Sequence, residues 1–129
     1  MKLAIIAPPN QLHWCEYTRY QMALARVVLN SSEYCLFYYE RGRMGDWVVL
    51  DNGAAEEGAL HPDMLLRAVE AIRPNETVVP DVVNDTDATI QLTKKYASDF
   101  SKWPTPLMIV PQGRTVYNWY KCLNVQLDY

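Results

Sequence analysis

Apolar residues along this chain gather into short runs that end in polar residues, and three of those runs share one design. Trp47-Val48-Val49-Leu50 leads into Asp51-Asn52-Gly53, Thr77-Val78-Val79-Pro80 into Asp81, and Leu107-Met108-Ile109-Val110-Pro111 into Gln112-Gly113. Each run is short, rich in valine, isoleucine or leucine, and bounded by breakers, which predicts a buried strand. Each is followed by a stretch with helical spacing, so every predicted strand delivers a polar tip just before a helix.

The rest of the chain extends this pattern. Leu3 to Ala7 reads as a first buried strand, stopped by Pro8-Pro9, and Asn10 to Glu16 as a polar loop. Tyr17 to Leu29 predicts a helix, with Tyr20, Met22, Ala23, Ala25, Val27 and Leu29 as a broad apolar face and Asn30-Ser31-Ser32 as its stop. Tyr34 to Tyr39, dense in aromatics, predicts a second strand, and Glu40 to Asp46 a loop of charges and glycines. The pairing of that strand with the one at Trp47 stays open, because a parallel connection ordinarily needs a dozen or more residues. His61-Pro62-Asp63 opens a helix with proline near the first turn and a carboxylate at the positive end of the dipole; Met64, Leu65, Ala68, Val69 and Ile72 form its buried stripe. Further helices are predicted from Asp87 to Phe100 and from Thr115 to Leu127, the latter with Val116, Trp119, Tyr120 and Leu123 as one face.

Thirty residues separate Asp51 from Asp81, and thirty-one separate Asp81 from Gln112. That interval fits one strand-helix unit, so the fold class is α/β with parallel βα units, either doubly wound or rolled into a barrel. The 129 residues predict a single α/β domain over 1–129. A full (β/α)8 barrel takes roughly 250 residues, so this length matches the N-terminal half of one. Half a barrel leaves sheet edges and apolar surface uncovered, and a homo-oligomer or a partner that completes the barrel is therefore expected.

Composition narrows the setting. Half of the residues are hydrophobic and only 21% are charged, which excludes a disordered chain. A net charge of −3 and the lack of a basic tail argue against strong non-specific binding to nucleic acid, so any backbone contact falls to local clusters such as Arg41 with Arg43. Three cysteines with no CxxC spacing suit a reducing, cytoplasmic setting better than a disulfide framework. Two histidines, His13 and His61, lie outside any ligand-spaced cluster; no metal and no cofactor is called for. The apolar N-terminal stretch is too short for a signal peptide, and no run approaches the ~20 apolar residues of a membrane helix.

Ligands of parallel α/β folds bind at the carboxyl ends of the strands, which makes the polar tips the candidate site. Asp51 with Asn52 and Gly53 has two readings: a carboxylate placed for chemistry, or an ordinary Asp-Asn-Gly turn. Asp81 likewise either faces a ligand or caps a turn, a role shared with Asp85 and Asp87. Two carboxylates near one pocket suit general acid/base work or recognition of the N–H edge of a heterocyclic base, because an ionised carboxylate only accepts hydrogen bonds. Gln112 adds an amide that donates and accepts, and Gly113 beside it lets a flat ligand approach the backbone.

At these three tips the sequence resembles the tRNA-guanine transglycosylases (queuine tRNA-ribosyltransferases), including relatives that insert 7-deazaguanine bases into DNA. The segments Leu50-Asp51-Asn52-Gly53-Ala54, Val79-Pro80-Asp81-Val82-Val83 and Ile109-Val110-Pro111-Gln112-Gly113 stand in the family's order and approximate spacing, over about residues 45 to 115. Asn52 takes the place of the family's serine, and Ala54-Ala55-Glu56-Glu57 that of its Gly-Phe-Gln part. The resemblance implies a TIM-barrel enzyme that exchanges guanine in tRNA or DNA for a 7-deazaguanine base. It implies Asp51 as the acid/base carboxylate at the glycosidic bond, and Asn52, Gly53, Asp81, Gln112 and Gly113 as base-binding residues. Family members carry the nucleophilic aspartate and a zinc site in the second half of the barrel, so this chain alone is expected to bind a base without exchanging it.

A rival reading makes the chain a small α/β binding or assembly module whose strand-end acids are turn and cap residues. A third, a nucleotide-processing enzyme of flavodoxin-like topology, lacks support because neither GxGxxG nor GxxxxGK[ST] occurs.

Overall fold

The structure, a computed structural model, describes residues 2–58, 60–100 and 102–129. Among these described residues, five strands, β1 (Ala4–Ile5), β2 (Tyr20–Leu24), β3 (Trp47–Asp51), β4 (Glu76–Val78) and β5 (Leu107–Met108), pair in chain order, each parallel to its neighbours. A 3-10 segment, Pro9–Tyr17, joins β1 to β2. Helices α1 (Ala25–Asn30) and α2 (Ser32–Arg43) lead from β2 to β3, α3 (Ala54–Glu57) and α4 (Pro62–Ile72) from β3 to β4, and α5 (Thr86–Phe100) from β4 to β5; α6 (Val116–Gln126) follows β5.

Parallel crossovers are right-handed, so a sheet that always steps in one direction places its connecting helices on one face. Burial follows that rule. Gln21 and Ala23 of β2 and Val48 and Leu50 of β3 are fully buried toward the helices, whereas Tyr20, Met22, Leu24, Trp47, Val49 and Asp51 turn to the opposite face. A doubly wound sheet would reverse its strand order at a switch point; the sequential order seen here is that of a (β/α)8 barrel wall. The core lies between sheet and helices, where Leu65, Ala68, Val69 and Ile72 of α4 meet Val28, Tyr34, Tyr38, Val48 and Leu50. Each large apolar side chain buried there contributes about 1.5–3 kcal/mol.

Two expectations from the sequence are corrected. The helix expected over Tyr17 to Leu29 is a strand followed by a short helix, because Tyr20–Leu24 hydrogen-bonds to strands on both sides. Glutamine, methionine, alanine and leucine suit a helix, and pairing on two edges overrides that preference. The strand expected over Tyr34 to Tyr39 lies inside α2. The Ser31 hydroxyl caps α2 by accepting from the Tyr34 amide at 3.3 Å, and Tyr34 and Tyr38, one helical turn apart, are buried with ring centroids 4.7 Å apart. The pairing left open between Tyr34–Tyr39 and the strand at Trp47 therefore does not occur; β3 pairs instead with β2, in parallel and with Tyr20 opposite Trp47, and α1 and α2 supply the length that this crossover needs.

The last helix also turns differently from its apolar pattern. Val116 is 85% exposed and Trp119 and Tyr120 are exposed, while Cys122 and Gln126 are the buried positions. Gln126 Nε2 reaches Thr93 Oγ1 of α5 at 3.2 Å, so a polar contact helps set the rotation of α6. Among the described residues, no helix is long and apolar enough to cross a membrane.

Candidate functional site at the carboxyl ends of the strands

Because β3, β4 and β5 are neighbours and parallel, their polar tips emerge at one edge of the sheet. Asp51 closes β3, half-buried on the face without helices, and its Oδ1 accepts from the Gly53 amide at 3.3 Å. Gly53 has φ of 75°, a left-handed conformation that a β-carbon would strain. The carboxylate and the turn are therefore both present in this segment: Asn52-Gly53 forms the turn, and Asp51 stands at its entrance.

Asn52 is fully buried and joins three segments. Its Oδ1 accepts from the Ala54 amide at 2.7 Å, and its Nδ2 donates to the Val79 carbonyl and to Asp81 Oδ1, both at 2.7 Å. Asp81 is 3% exposed, and its second oxygen, Oδ2, accepts from Gln112 Nε2 at 2.5 Å. The other end of the Gln112 amide accepts from the Asn84 backbone at 3.0 Å, and the Gln112 carbonyl accepts from Thr86 Oγ1 at 2.8 Å. One continuous set of hydrogen bonds thus runs from the tip of β3 through that of β4 to the segment after β5.

Burial raises the pKa of Asp81 above the usual carboxylate value. The two amides oppose that effect by stabilising the anion, and the negative charge of Asp51 adds to it.

Of the residues read from the sequence, Asn52, Asp81 and Gln112 are joined by hydrogen bonds, and Asp51 and Gly53 flank Asn52 in the turn at the β3 tip. Gly113 adjoins them, but the side where its side chain would stand is filled: a β-carbon there would lie 2.4 Å from the Trp119 nitrogen and 2.7 Å from the Asn118 carbonyl carbon. That glycine is required by the approach of α6. Asp85 keeps the capping role considered for it, accepting from the Ala88 amide at 3.0 Å, whereas Asp87 pairs with Lys121 at 2.9 Å on the surface. Sequence reasoning missed Asn84 and Thr86 as holders of Gln112; the available signal was the run Asn84-Asp85-Thr86, and Asn84 adopts a positive φ of 61°.

Chemically, Asp51 offers an acceptor at the sheet edge, and Asp81 offers one wherever a ligand N–H takes the place of the Gln112 amide. Among the described residues no group of three His, Cys, Asp or Glu side chains is placed to hold a metal ion. A cavity of about 580 Å³, lined by Val69, Glu70, Arg73, Pro74, Pro104 and Thr105, lies at the amino ends of β4 and β5, away from these groups. The polar tips outweigh it as a candidate, because ligands of parallel sheets bind at the carboxyl ends. Comparisons with protein-family models, curated proteins and solved structures found no match to this chain.

Proposed function

We propose that the carboxyl ends of β3, β4 and β5 bind a guanine or 7-deazaguanine base, as part of a transglycosylase-like barrel that exchanges such bases in tRNA or DNA. The observation that carries this reading is the Asn52–Asp81–Gln112 hydrogen-bond set beside the more accessible Asp51. Guanine presents adjacent N–H donors from its ring and exocyclic amine, and a carboxylate backed by amides is suited to them. In this reading Asp81 and Gln112 take the base edge, Asn52 and Gly53 shape the floor of the site, and Asp51 is the acid/base carboxylate. Glycosidic exchange through a covalent sugar intermediate also requires a nucleophilic carboxylate at C1′. Asp85 and Asp87 are engaged elsewhere, so that nucleophile is assigned to a further strand end, supplied by additional polypeptide or a partner.

Assembly follows from the same reading. The face without helices carries Tyr20, Met22, Trp47 and Val49, and β1 and β5 are the outer strands of the sheet. Further strands, from a second copy or another chain, complete the barrel and cover that face. Three free cysteines are consistent with a cytoplasmic location.

A second reading has its own support. Both oxygens of Asp81 are already occupied within the chain, which is what a structural lock in an assembly module would show. Isothermal titration of the 129-residue chain with 7-deazaguanine separates the two. Saturable heat that is lost in Asp81→Ala supports base binding. No heat at millimolar base favours the assembly module.

A further inference from the structure

Asn52 and Gln112 hold the two oxygens of Asp81 on unequal terms. Asn52 is fully buried, and both polar atoms of its side chain are paired: both amide hydrogens are donated and its oxygen accepts from Ala54. Moving it would unpair the Val79 carbonyl and the Ala54 amide inside the protein, and unmade buried hydrogen bonds are costly. Gln112 is half-buried, and the backbone amide that its Oε1 accepts from belongs to exposed Asn84. Water can replace that partner when Gln112 turns away. One oxygen of the carboxylate is therefore fixed and the other is exchangeable.

Resting on the base-binding reading above, we propose that Asn52 is a positioning residue. It anchors Asp81 through Oδ1 so that Oδ2 faces the ligand, and the Gln112 amide holds the place on Oδ2 that a ligand N–H takes. The ligand class is a planar heterocycle whose exocyclic amine supplies that N–H, as the Gln112 amide does in its absence. Selectivity for an exocyclic amine then depends on Asn52 acting through Asp81. A carboxylate without its inner anchor can turn about its side-chain torsion, and a directed hydrogen bond to Oδ2 becomes a diffuse negative charge.

The test compares 7-deazaguanine with 7-deazahypoxanthine, which lacks the exocyclic amine, by titration calorimetry on the full chain. The native chain should prefer the amine-bearing base by roughly tenfold or more, as expected for a hydrogen bond to a charged group. In Asn52→Ala that ratio should fall toward one, whereas a purely structural Asn52 would weaken both bases alike and leave the ratio intact. If Asn52→Ala does not fold, the isosteric Asn52→Asp keeps an acceptor for the Ala54 amide while losing the donor to Asp81, and its ratio should fall as well. An unchanged ratio in the folded variant overturns the positioning role while leaving base binding in place. A native chain that binds neither base overturns the base-binding reading, and this inference with it.

Discussion

Asn52 and Asp81, twenty-nine residues apart in sequence, meet through a 2.7 Å hydrogen bond that ties the tip of one parallel strand to the tip of the next. Neighbouring parallel strands bring residues one βα unit apart to the same sheet edge. Asn52 uses that placement to fix a carboxylate that is nearly excluded from water.

Stability should therefore depend on pH through Asp81. Its folded pKa is raised above 3.8 by burial, so the folded chain binds this proton more tightly than the unfolded chain. Between 3.8 and the raised folded value the folded state carries more of the proton, and stability falls as pH rises through that window. Above the window the penalty is complete and constant. Urea unfolding across acidic pH should show this fall in the native chain and a smaller one in Asp81→Asn, which cannot titrate. Equal slopes in the two proteins would contradict the assignment.

Two glycines should resist substitution for different reasons. Gly53→Ala places a β-carbon on a backbone with φ of 75°, at a cost of about 1–2 kcal/mol. Gly113→Ala forces a β-carbon against the first turn of α6, and overpacking of this kind costs about 1–3 kcal/mol. Chemical denaturation of each variant checks both. A neutral Gly113→Ala would mean that α6 does not approach this closely.

Much of the fold was legible because strand and helix differ in apolar spacing. β3, β4 and α4 followed from short valine-rich runs and from a stripe at helical intervals. The region from Tyr17 to Tyr39 misled because its residue types argue against its structure. Tyr20–Leu24 has helix-forming residues but is held by strands on both sides, while α2 carries aromatics that favour strands but cap and stack as a helix. That the tips carrying Asp51, Asp81 and Gln112 share one sheet edge was legible, since successive parallel βα units place their strand ends together. That Asn52 and Gln112 would spend their amides on Asp81 was not legible, because side-chain pairing depends on register and rotamer.

A separate test concerns the amino end of the sheet. Buried Asp46 accepts from Gln21 Nε2 at 2.9 Å and pairs with Arg41. Arg41→Ala should cost about 1–3 kcal/mol, the penalty for a buried group that loses a partner, held down because Gln21 still donates. Purine binding should be unaffected, since this pair lies at the end opposite the candidate site. Loss of binding in a folded Arg41→Ala would place the site elsewhere.

The central claim is that a base occupies the strand ends at Asp81. The most direct measurement is nuclear magnetic resonance of the full chain titrated with 7-deazaguanine, following the Asp81 carboxyl carbon and the side-chain amides of Asn52 and Gln112. The account predicts saturable shifts of Asp81 and Gln112 with a common affinity, and a smaller shift of the anchored Asn52 amide. Unmoved Asp81 and Gln112 signals at millimolar base, or shifts confined to residues away from the strand tips, would contradict it.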